Sequence, residues 1–310
     1  MDPTLLERTR MVCPVCRAGG LRAEVGVAGA GGEIRHGVLR CGHAGCRAAR
    51  PIIDGIPILV EDWVEYASSE RWMILRRRDL PAAIGAMLDA PLADDHAEVI
   101  RRRHLASYRA SHFGPPAPEA AGLSGEFAAF LEGALERFAG RVPGRQTVGL
   151  DAGCATGGYT AMLARHLDCA VGIDLHFERV RVAAEECGAA PGAAFLVASA
   201  EDPPFEAETF DVVFALNVLD STALPRRVLE SLQRCLRVGG LLVVTTPFDY
   251  STMYSARKDW ISEQELMGLL ARDFEILEDR ARLPWVLPIH GRRSDVFWVR
   301  AVAARKRAGG

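Results

Sequence analysis

The chain has 310 residues, of which 49% are hydrophobic and 25% are charged, and this balance is typical of a globular protein and excludes a mostly disordered one. The length predicts two domains, or one large domain with an appendage. The net charge of −3 argues against a protein that coats nucleic acid through bulk positive charge.

The N-terminal segment contains neither a secretory pattern nor a long apolar run. A membrane-spanning helix needs about 18 or more consecutive apolar residues, and the sequence has no such stretch. We therefore expect a cytoplasmic protein with no membrane partner.

Four of the eight cysteines lie within the first 50 residues as C-x2-C and C-x4-C pairs, namely Cys13, Cys16, Cys41 and Cys46. In a chain of cytosolic character such pairs indicate metal or redox chemistry before disulfides. Two short knuckles can direct four thiolates at one tetrahedral Zn²⁺ ion, so these four are the predicted ligands. His43 could replace a cysteine in the second knuckle, and chance spacing or a redox pair are the alternatives to a metal site. The other four cysteines are scattered and are expected to be small buried residues.

Residues 21–27 and 34–39, between the two knuckles, are predicted to form a hairpin around a glycine-rich turn. The following segment, P-I-I-D-G-I-P-I-L-V at 51–60, resembles the end of the small zinc-binding methyltransferase-activator family. The resemblance covers about residues 9–62, and the wider second knuckle departs from it. It implies a zinc-ribbon domain at 1–62 that supports a methyltransferase in cis.

The middle of the chain, from 61 to about 139, has helical spacing of its apolar residues and lacks strand alternation. This spacing is carried by Trp72, Leu75, Leu80, Phe127, Phe130, Leu131 and Leu135. A glycine- and proline-rich stretch at 113–118 interrupts it and is typical of a hinge. The sequence therefore predicts a helical linker or lid region over 63–144.

From residue 145 onward, apolar strands and helical segments alternate, which predicts an α/β fold with a parallel doubly wound sheet in a domain at 145–310. In such sheets ligands bind beyond the carboxyl ends of the strands. The predicted strands are 146–150, 170–173, 195–197, 210–215 and 241–245, and the predicted helices are 159–167 and 177–187.

The first loop of this domain, D-A-G-C-A-T-G-G at 151–158, is neither a G-x-G-x-x-G nor a G-K-[ST] loop. It resembles the D-x-G-x-G-x-G loop of class I S-adenosylmethionine (SAM) methyltransferases of the type 11 kind, with Ala155 replacing the middle glycine. Further segments that resemble this family follow in order at 172–175, 199–205, 210–213 and 236–241. The resemblance covers about 145–300 and implies a Rossmann-like domain that binds SAM.

The resemblance also implies which residues hold the cofactor. Asp174, at the end of the second strand, would accept hydrogen bonds from the ribose hydroxyls, and Ser199 stands where the family has an aspartate near the adenine. Asn217 follows the fourth strand, near where the methyl group would lie. The implied cofactor residues are Asp151, Gly153, Ala155, Gly157, Asp174, Leu175, Ser199, Ala200, Glu201 and Asn217.

The acceptor side has no unambiguous general base. The segment after the fifth strand is rich in aromatic and polar residues, and it is similar to that of methyltransferases that act on imidazole-type nitrogens in ovothiol biosynthesis. Its candidate acceptor-site residues are Asp249, Tyr250 and His290. We predict transfer to a small-molecule acceptor, a natural product or metabolite, with nitrogen as one acceptor atom to test.

Two other functions remain open at this point. Zinc ribbons are also fused to ribosomal RNA base methyltransferases, and here the ribbon could contact RNA phosphates through Arg8, Arg10, Arg17, Arg22 and Arg40. A non-catalytic SAM-fold scaffold is the third reading, because Ala155 and Ser199 depart from the family pattern. The near-neutral charge favours the small-molecule acceptor, and the sequence leaves the oligomeric state open.

Overall fold

A computed structural model describes residues 1–63, 66, 81, 84, 98–114, 121–138, 145–187, 190–252, 254–290 and 293–308. The helical spacing of Trp72, Leu75 and Leu80 and most of the predicted hinge at 113–118 lie outside the described residues. The same holds for the side chain of His290.

The N-terminal region forms a small antiparallel sheet after the short helix α1 (Leu5–Arg8). Its four strands, in spatial order, are β1 (Leu21–Ala28), β2 (Ile34–Cys41), β3 (Ala49–Ile53) and β4 (Ile56–Pro57). The predicted hairpin is confirmed, because β1 and β2 pair antiparallel with Leu21 opposite Cys41.

The remainder of the chain is built around one seven-stranded sheet of order β10-β11-β9-β8-β5-β6-β7. The strands β5 to β9 are parallel to one another, whereas β11 pairs antiparallel with both β9 and β10. The bounds are β5 (Val148–Ala152), β6 (Cys169–Asp174), β7 (Ala193–Val197), β8 (Phe210–Leu216), β9 (Leu236–Thr246), β10 (Phe274–His290) and β11 (Arg293–Lys306). The chain reverses its direction of winding between β5 and β8, and a ligand crevice is expected at this point of the edge.

The described helices that cover this sheet are α2 (Glu98–Phe113), α3 (Ala121–Arg137), α4 (Gly158–His166), α5 (Phe177–Cys187), α6 (Pro225–Cys235) and α7 (Glu263–Asp273). The predicted α/β alternation is therefore confirmed. The long β10–β11 pair was not predicted, because charged residues and prolines interrupt the apolar pattern of its first strand.

The core does not follow the predicted domain boundary at residue 145. In α3 the buried side chains of Phe127, Leu131 and Leu135 belong to one hydrophobic cluster with Leu163 of α4 and Leu283 of β10. The helix α3, which belongs to the predicted helical middle, thus helps to cover one face of the seven-stranded sheet.

The ribbon, residues 1–62, also shares its core with the large sheet. Leu5, Ile52 and Leu59 lie in one buried cluster with Leu150 and Phe205. The Leu59 N–H donates to the Val197 carbonyl at 2.6 Å, which joins the ribbon to the end of β7. The ribbon is therefore attached along the edge of the sheet and has no separate core. Within the described part of the chain, the helices are too short or too polar to traverse a bilayer.

Candidate functional site

The loop of residues 151–158, called here the glycine loop, turns from β5 into α4 through three left-handed backbone positions. Their φ angles are +82° at Gly153, +47° at Ala155 and +87° at Gly157. A Cβ atom on Gly153 would lie 2.7 Å from a methyl group of Val218, and one on Gly157 would lie 2.8 Å from Ala183. The loop therefore requires glycine at both of these positions, whereas Ala155 has room but adopts a strained conformation.

Asp174 ends β6 beside this loop, as the sequence predicted, and its side chain is only 6% exposed. Its carboxylate accepts hydrogen bonds from the backbone N–H groups of Ala155 at 3.1 Å and of His176 at 2.9 Å. Arg179 of α5 lies 3.7 Å from the same carboxylate. A carboxylate offers about four lone-pair sites, so Asp174 retains capacity for a pair of ligand hydroxyls.

Leu175, the next residue, is 47% exposed at the edge of the sheet. An exposed leucine beside a buried carboxylate provides an apolar surface next to a hydrogen-bond acceptor. This combination suits a nucleoside, which has a flat base and a ribose with two hydroxyls.

Asp151 has a different environment from Asp174. Its side chain is 1% exposed and accepts a hydrogen bond from the Thr160 hydroxyl at 2.7 Å. Burial raises the pKa of Asp151 to about 7, and the hydrogen bond from Thr160 opposes this rise. The carboxyl group thus connects the start of the glycine loop to α4 from inside the fold.

Two other predicted cofactor residues, Ser199 and Glu201, form hydrogen bonds with other parts of the chain. The Ser199 hydroxyl accepts the Glu201 N–H at 3.2 Å. The Glu201 carboxylate accepts the Leu224 N–H at 2.9 Å, and its carbonyl accepts the Ser231 hydroxyl at 2.7 Å. Glu201 therefore connects this loop to the start of α6.

Asn217 follows β8 in a left-handed conformation with a φ of +52°. Its N–H donates to the Thr245 carbonyl at 2.9 Å, and its side-chain oxygen accepts the Thr245 hydroxyl at 2.8 Å. These contacts with β9 fix the chain as it leaves β8 at the switch point.

The helix α2 brings two residues to the site that the sequence analysis did not single out, Tyr108 and His112. The His112 Nδ1 accepts the Gly158 N–H at 3.1 Å and lies 2.7 Å from the Thr156 hydroxyl. Burial lowers the pKa of His112 to about 4, so the ring is neutral near pH 7. The spacing of four residues between Tyr108 and His112, which puts both on one helix face, was the signal available in the sequence.

Tyr108 lies one turn earlier and receives the guanidinium of Arg179 at 4.7 Å from its ring centre. Burial raises the pKa of Tyr108, and the charges of Asp174 and Asp220 raise it further, while Arg179 lowers it. Tyr108 is thus close enough to Asp174 at the end of β6 and to Asp220 after β8 for both charges to change its pKa.

Of the predicted acceptor residues, Tyr250 is half-buried and stacks on Trp260 with ring centres 5.4 Å apart. Its hydroxyl accepts the Ile261 N–H at 3.3 Å. Asp249 is exposed, and the side chain of His290 lies outside the described residues. Asp220, which follows Asn217 by three residues and was not among the predicted site residues, is only 9% exposed.

The four paired cysteines of the ribbon converge, and their sulfur atoms all lie within 4.8 Å of one another. The Cys13 and Cys46 sulfurs are 3.8 Å apart, and those of Cys16 and Cys41 are 3.5 Å apart. A tetrahedral zinc ion with bonds of about 2.3 Å to sulfur holds its ligand atoms about 3.8 Å from one another. The donor set therefore fits Zn²⁺ in both chemistry and spacing.

His43 takes part in this cluster through its backbone alone, donating its N–H to the Cys41 sulfur at 3.4 Å. Among the described residues, the group that could hold a metal consists of the four cysteines. The other four cysteines, Cys154, Cys169, Cys187 and Cys235, are each buried and unpaired, as predicted.

Comparison with known proteins agrees with this geometry. Residues 150–244 match the model of a family described as a methyltransferase domain, which confirms the predicted domain type for this part of the chain. The matched range begins within β5 and ends within β9, so it contains the glycine loop, Asp174 and Asn217.

Two curated relatives align with parts of the chain. Malonyl-[acyl-carrier protein] O-methyltransferase of Marinomonas sp. (strain MWYL1) is 28% identical over 137 residues, which cover 43% of this chain and 50% of the relative. An uncharacterized protein of Methanocaldococcus jannaschii is 28% identical over 96 residues, which cover 31% of this chain and 42% of the relative. The chain thus spans half or less of the length of these relatives.

A SAM-dependent methyltransferase from Aquifex aeolicus is among the solved structures similar to this chain. It superposes with a TM-score of 0.43 at 17% identity, covering 68% of this chain and 98% of that one.

Proposed function

We propose that this protein transfers the methyl group of SAM to a small-molecule acceptor. The observation that carries the proposal is the carboxyl edge of the sheet, where a buried carboxylate, an exposed leucine and a glycine loop lie within a methyltransferase-type domain. A relative of stated activity that aligns with part of the chain is also a methyltransferase, although its name describes transfer to an oxygen atom.

The residues at this edge would contact different parts of SAM. Asp174 would accept the two ribose hydroxyls, Leu175 would cover one face of the adenine, and the glycine loop would let the backbone approach the rest of the molecule. SAM, when bound, supplies a methyl group on a positively charged sulfur, which is an electrophile for an in-line displacement. The protein's task is then to align the acceptor with the methyl group and exclude water.

We propose further that the ribbon binds one Zn²⁺ through Cys13, Cys16, Cys41 and Cys46, and that the metal is structural. Four thiolates fill a tetrahedral coordination shell, which leaves no open position for a substrate. The hydrogen bonds between the ribbon and the chain near β7 support a bracing role for this metal. Examples are the Val12 N–H to the Pro204 carbonyl at 2.9 Å and the Arg17 guanidinium to the Pro203 carbonyl at 2.8 Å.

The alternative acceptor, RNA bound through the ribbon, has less support. Arg10 pairs with Glu206, Arg17 lies 3.2 Å from Asp202, and Arg40 lies 2.7 Å from Glu24. Arg8 is likewise 3.6 Å from Asp2. Four of the five arginines proposed for RNA therefore already have carboxylate partners, which favours the small-molecule acceptor.

A methyl-transfer assay with isotope-labelled SAM tests the proposal. The purified protein is incubated with fractionated cell extract, and incorporation of label is compared between the RNA and small-molecule pools. We expect label in the small-molecule pool. Label in RNA alone would reverse the choice of acceptor, and the absence of SAM binding in calorimetry would contradict the function itself.

A further inference from the structure

Asp220 carries a buried oxygen atom for which the described part of the protein supplies no hydrogen-bond donor. The residue lies in a short 3-10 turn, Leu219–Ser221, that directly follows β8 at the carboxyl edge of the sheet. Its side chain is 9% exposed, and its Oδ1 atom is covered yet has no partner among the described residues. A buried acceptor without a donor costs about 1–3 kcal/mol, so the fold gains nothing from this oxygen as it stands.

The charges and side chains around Asp220 indicate which kind of ligand group would bind to its unpartnered oxygen. The negative charge of Asp249 is close enough to raise the pKa of Asp220, and the backbone N–H groups of Asp220 and Asp249 lower it without giving Oδ1 a hydrogen-bond partner. The negative charge of Asp220 raises the pKa of the phenols of Tyr108 and Tyr250, in addition to the effect of burial. Asp220 therefore interacts electrostatically with two phenol side chains and a second carboxylate, an environment that attracts a cation or an N–H group.

The position of Asp220 relates this environment to the reaction. The pKa of Tyr108 is raised both by the charge of Asp174, in the proposed cofactor site, and by the charge of Asp220, which follows β8. Val218, the residue before this turn, lies next to the glycine loop, where a Cβ atom on Gly153 would be 2.7 Å from its methyl group. The unpartnered oxygen is thus on the acceptor side of the site proposed above for SAM.

On the basis of that proposed function, we propose that the acceptor is a compact molecule with an N–H nitrogen, and that Asp220 binds this nitrogen and accepts its proton. The nitrogen lone pair forms the bond to the methyl carbon, and the carbon–sulfur bond breaks with its electron pair remaining on sulfur. The N–H proton passes to Oδ1 of Asp220 and from there to solvent. When the proton reaches Asp220, the positive charge on sulfur and the negative charge on Asp220 are both lost, and release of the proton to solvent then restores the carboxylate, so atoms and charges balance.

Two observations support nitrogen over the carboxyl oxygen that the malonyl relative's name implies for that enzyme. Asp220 and Asp249 make the site negative, which repels a carboxylate acceptor. Burial also raises the pKa of Asp220 to about 6, which is near the value at which a general base works best at neutral pH.

Binding measurements on three matched probes test the proposal without knowledge of the natural acceptor. Phenethylamine, 2-phenylethanol and phenylacetate share one ring and differ in carrying an amine, a hydroxyl or a carboxylate. Each is titrated into the full-length protein saturated with S-adenosylhomocysteine, the product that remains after methyl loss. We expect the amine to bind at least tenfold more tightly than the alcohol, and the carboxylate to bind least.

The substitution Asp220→Asn should abolish the preference for the amine and change the affinity for S-adenosylhomocysteine less than twofold. Asp259→Asn, the same substitution at a partly exposed carboxylate next to Trp260, should leave the preference intact and controls for overall charge. An amine that binds the wild-type protein no better than the alcohol, or a preference that survives in Asp220→Asn, would overturn the proposal. The wild-type comparison does not depend on the folding of any variant. A failure to bind S-adenosylhomocysteine would instead count against the proposed function.

Discussion

The imidazole of His112, on a helix that precedes the large sheet in the chain, accepts a hydrogen bond from the Gly158 N–H at 3.1 Å. Gly158 is the first residue of α4, where backbone N–H groups have no partner within the helix. A Cβ atom on Gly158 would lie 2.8 Å from the His112 side chain, so the two elements meet in direct contact. The helix α2 is thereby attached to the glycine loop, and the position of one depends on the other.

Replacing His112 with phenylalanine should therefore lower the free energy of unfolding by about 1–3 kcal/mol, because the Gly158 N–H and the Thr156 hydroxyl lose their partner. The folded protein keeps His112 neutral down to a pKa of about 4, whereas an unfolded histidine takes up a proton near pH 6.5. The wild-type protein should thus lose stability as the pH falls from about 6.5 toward 4, and part of this loss should be missing in the variant.

Urea denaturation of both proteins across this pH range measures the difference. Arg109→Ala is a suitable control, since Arg109 lies on the same helix and makes an exposed ion pair with Glu186 that should contribute about 0–1 kcal/mol. An equal pH dependence in wild type and His112→Phe would show that this histidine is not held neutral.

Substitutions at two positions of the glycine loop, 155 and 157, should have opposite effects on stability. Gly157→Ala should destabilise the protein by more than about 1 kcal/mol, because its φ is +87° and the new methyl group would meet Ala183 and Phe195 at 2.8 Å. Ala155→Gly should be neutral or stabilising, because Ala155 has a φ of +47° and glycine removes about 1–2 kcal/mol of strain while losing more chain entropy. Thermal unfolding of the two variants compares them, and a strongly destabilised Ala155→Gly would contradict the assignment of strain.

SAM binding separates two carboxylates that the sequence grouped together. Asp174→Asn should weaken SAM binding by about 1–3 kcal/mol, because charge-assisted hydrogen bonds to the ribose would be lost in a buried site. Glu201→Gln should change SAM affinity little and act on stability instead, because the Glu201 carboxylate is already bonded to the Leu224 N–H. Isothermal titration calorimetry with both variants tests this. A larger loss of SAM affinity in Glu201→Gln than in Asp174→Asn would indicate that Glu201 contacts the cofactor.

Much of this arrangement could be predicted because local sequence determines it. The glycine loop, Asp174 and the cysteine pairs each depend on residues a few positions apart, and the same short-range rules that predict a turn or a knuckle also identify them. Tyr108 and His112 could not be assigned in this way, since their role arises from the packing of α2 against a loop about 46 residues later in the chain, as between His112 and Gly158. The proposed role of Asp220 likewise depends on its burial and on the nearby Asp249, which follows β9, and no pattern near residue 220 encodes either.

Elemental analysis should find one zinc ion for each chain, and Cys13→Ser and Cys46→Ser should each remove it. Metal loss should also lower the melting temperature of the whole protein, because the ribbon residues Ile52 and Leu59 share a core with the large sheet. His43→Ala should retain zinc, since only its backbone contacts the Cys41 sulfur. Zinc that is released by His43→Ala but retained by Cys46→Ser would show that the ligand set is wrong.

The ribbon arginines provide the last prediction, on the class of acceptor. If the acceptor is a small molecule, charge reversal at Arg17, Arg22 and Arg40 should leave turnover and its salt dependence nearly unchanged, apart from a loss of stability where Arg17 bonds the Pro203 carbonyl. Tyr250→Phe should instead lower turnover and leave SAM affinity nearly intact, if Tyr250, which stacks on Trp260, orients the acceptor as proposed. An RNA acceptor predicts the reverse, since arginine contacts with phosphates weaken steeply with salt. Activity of both sets of variants, measured over a series of salt concentrations on the pool that accepts label, distinguishes the two. A steep salt dependence in the wild-type protein that the arginine variants abolish would establish RNA as the acceptor.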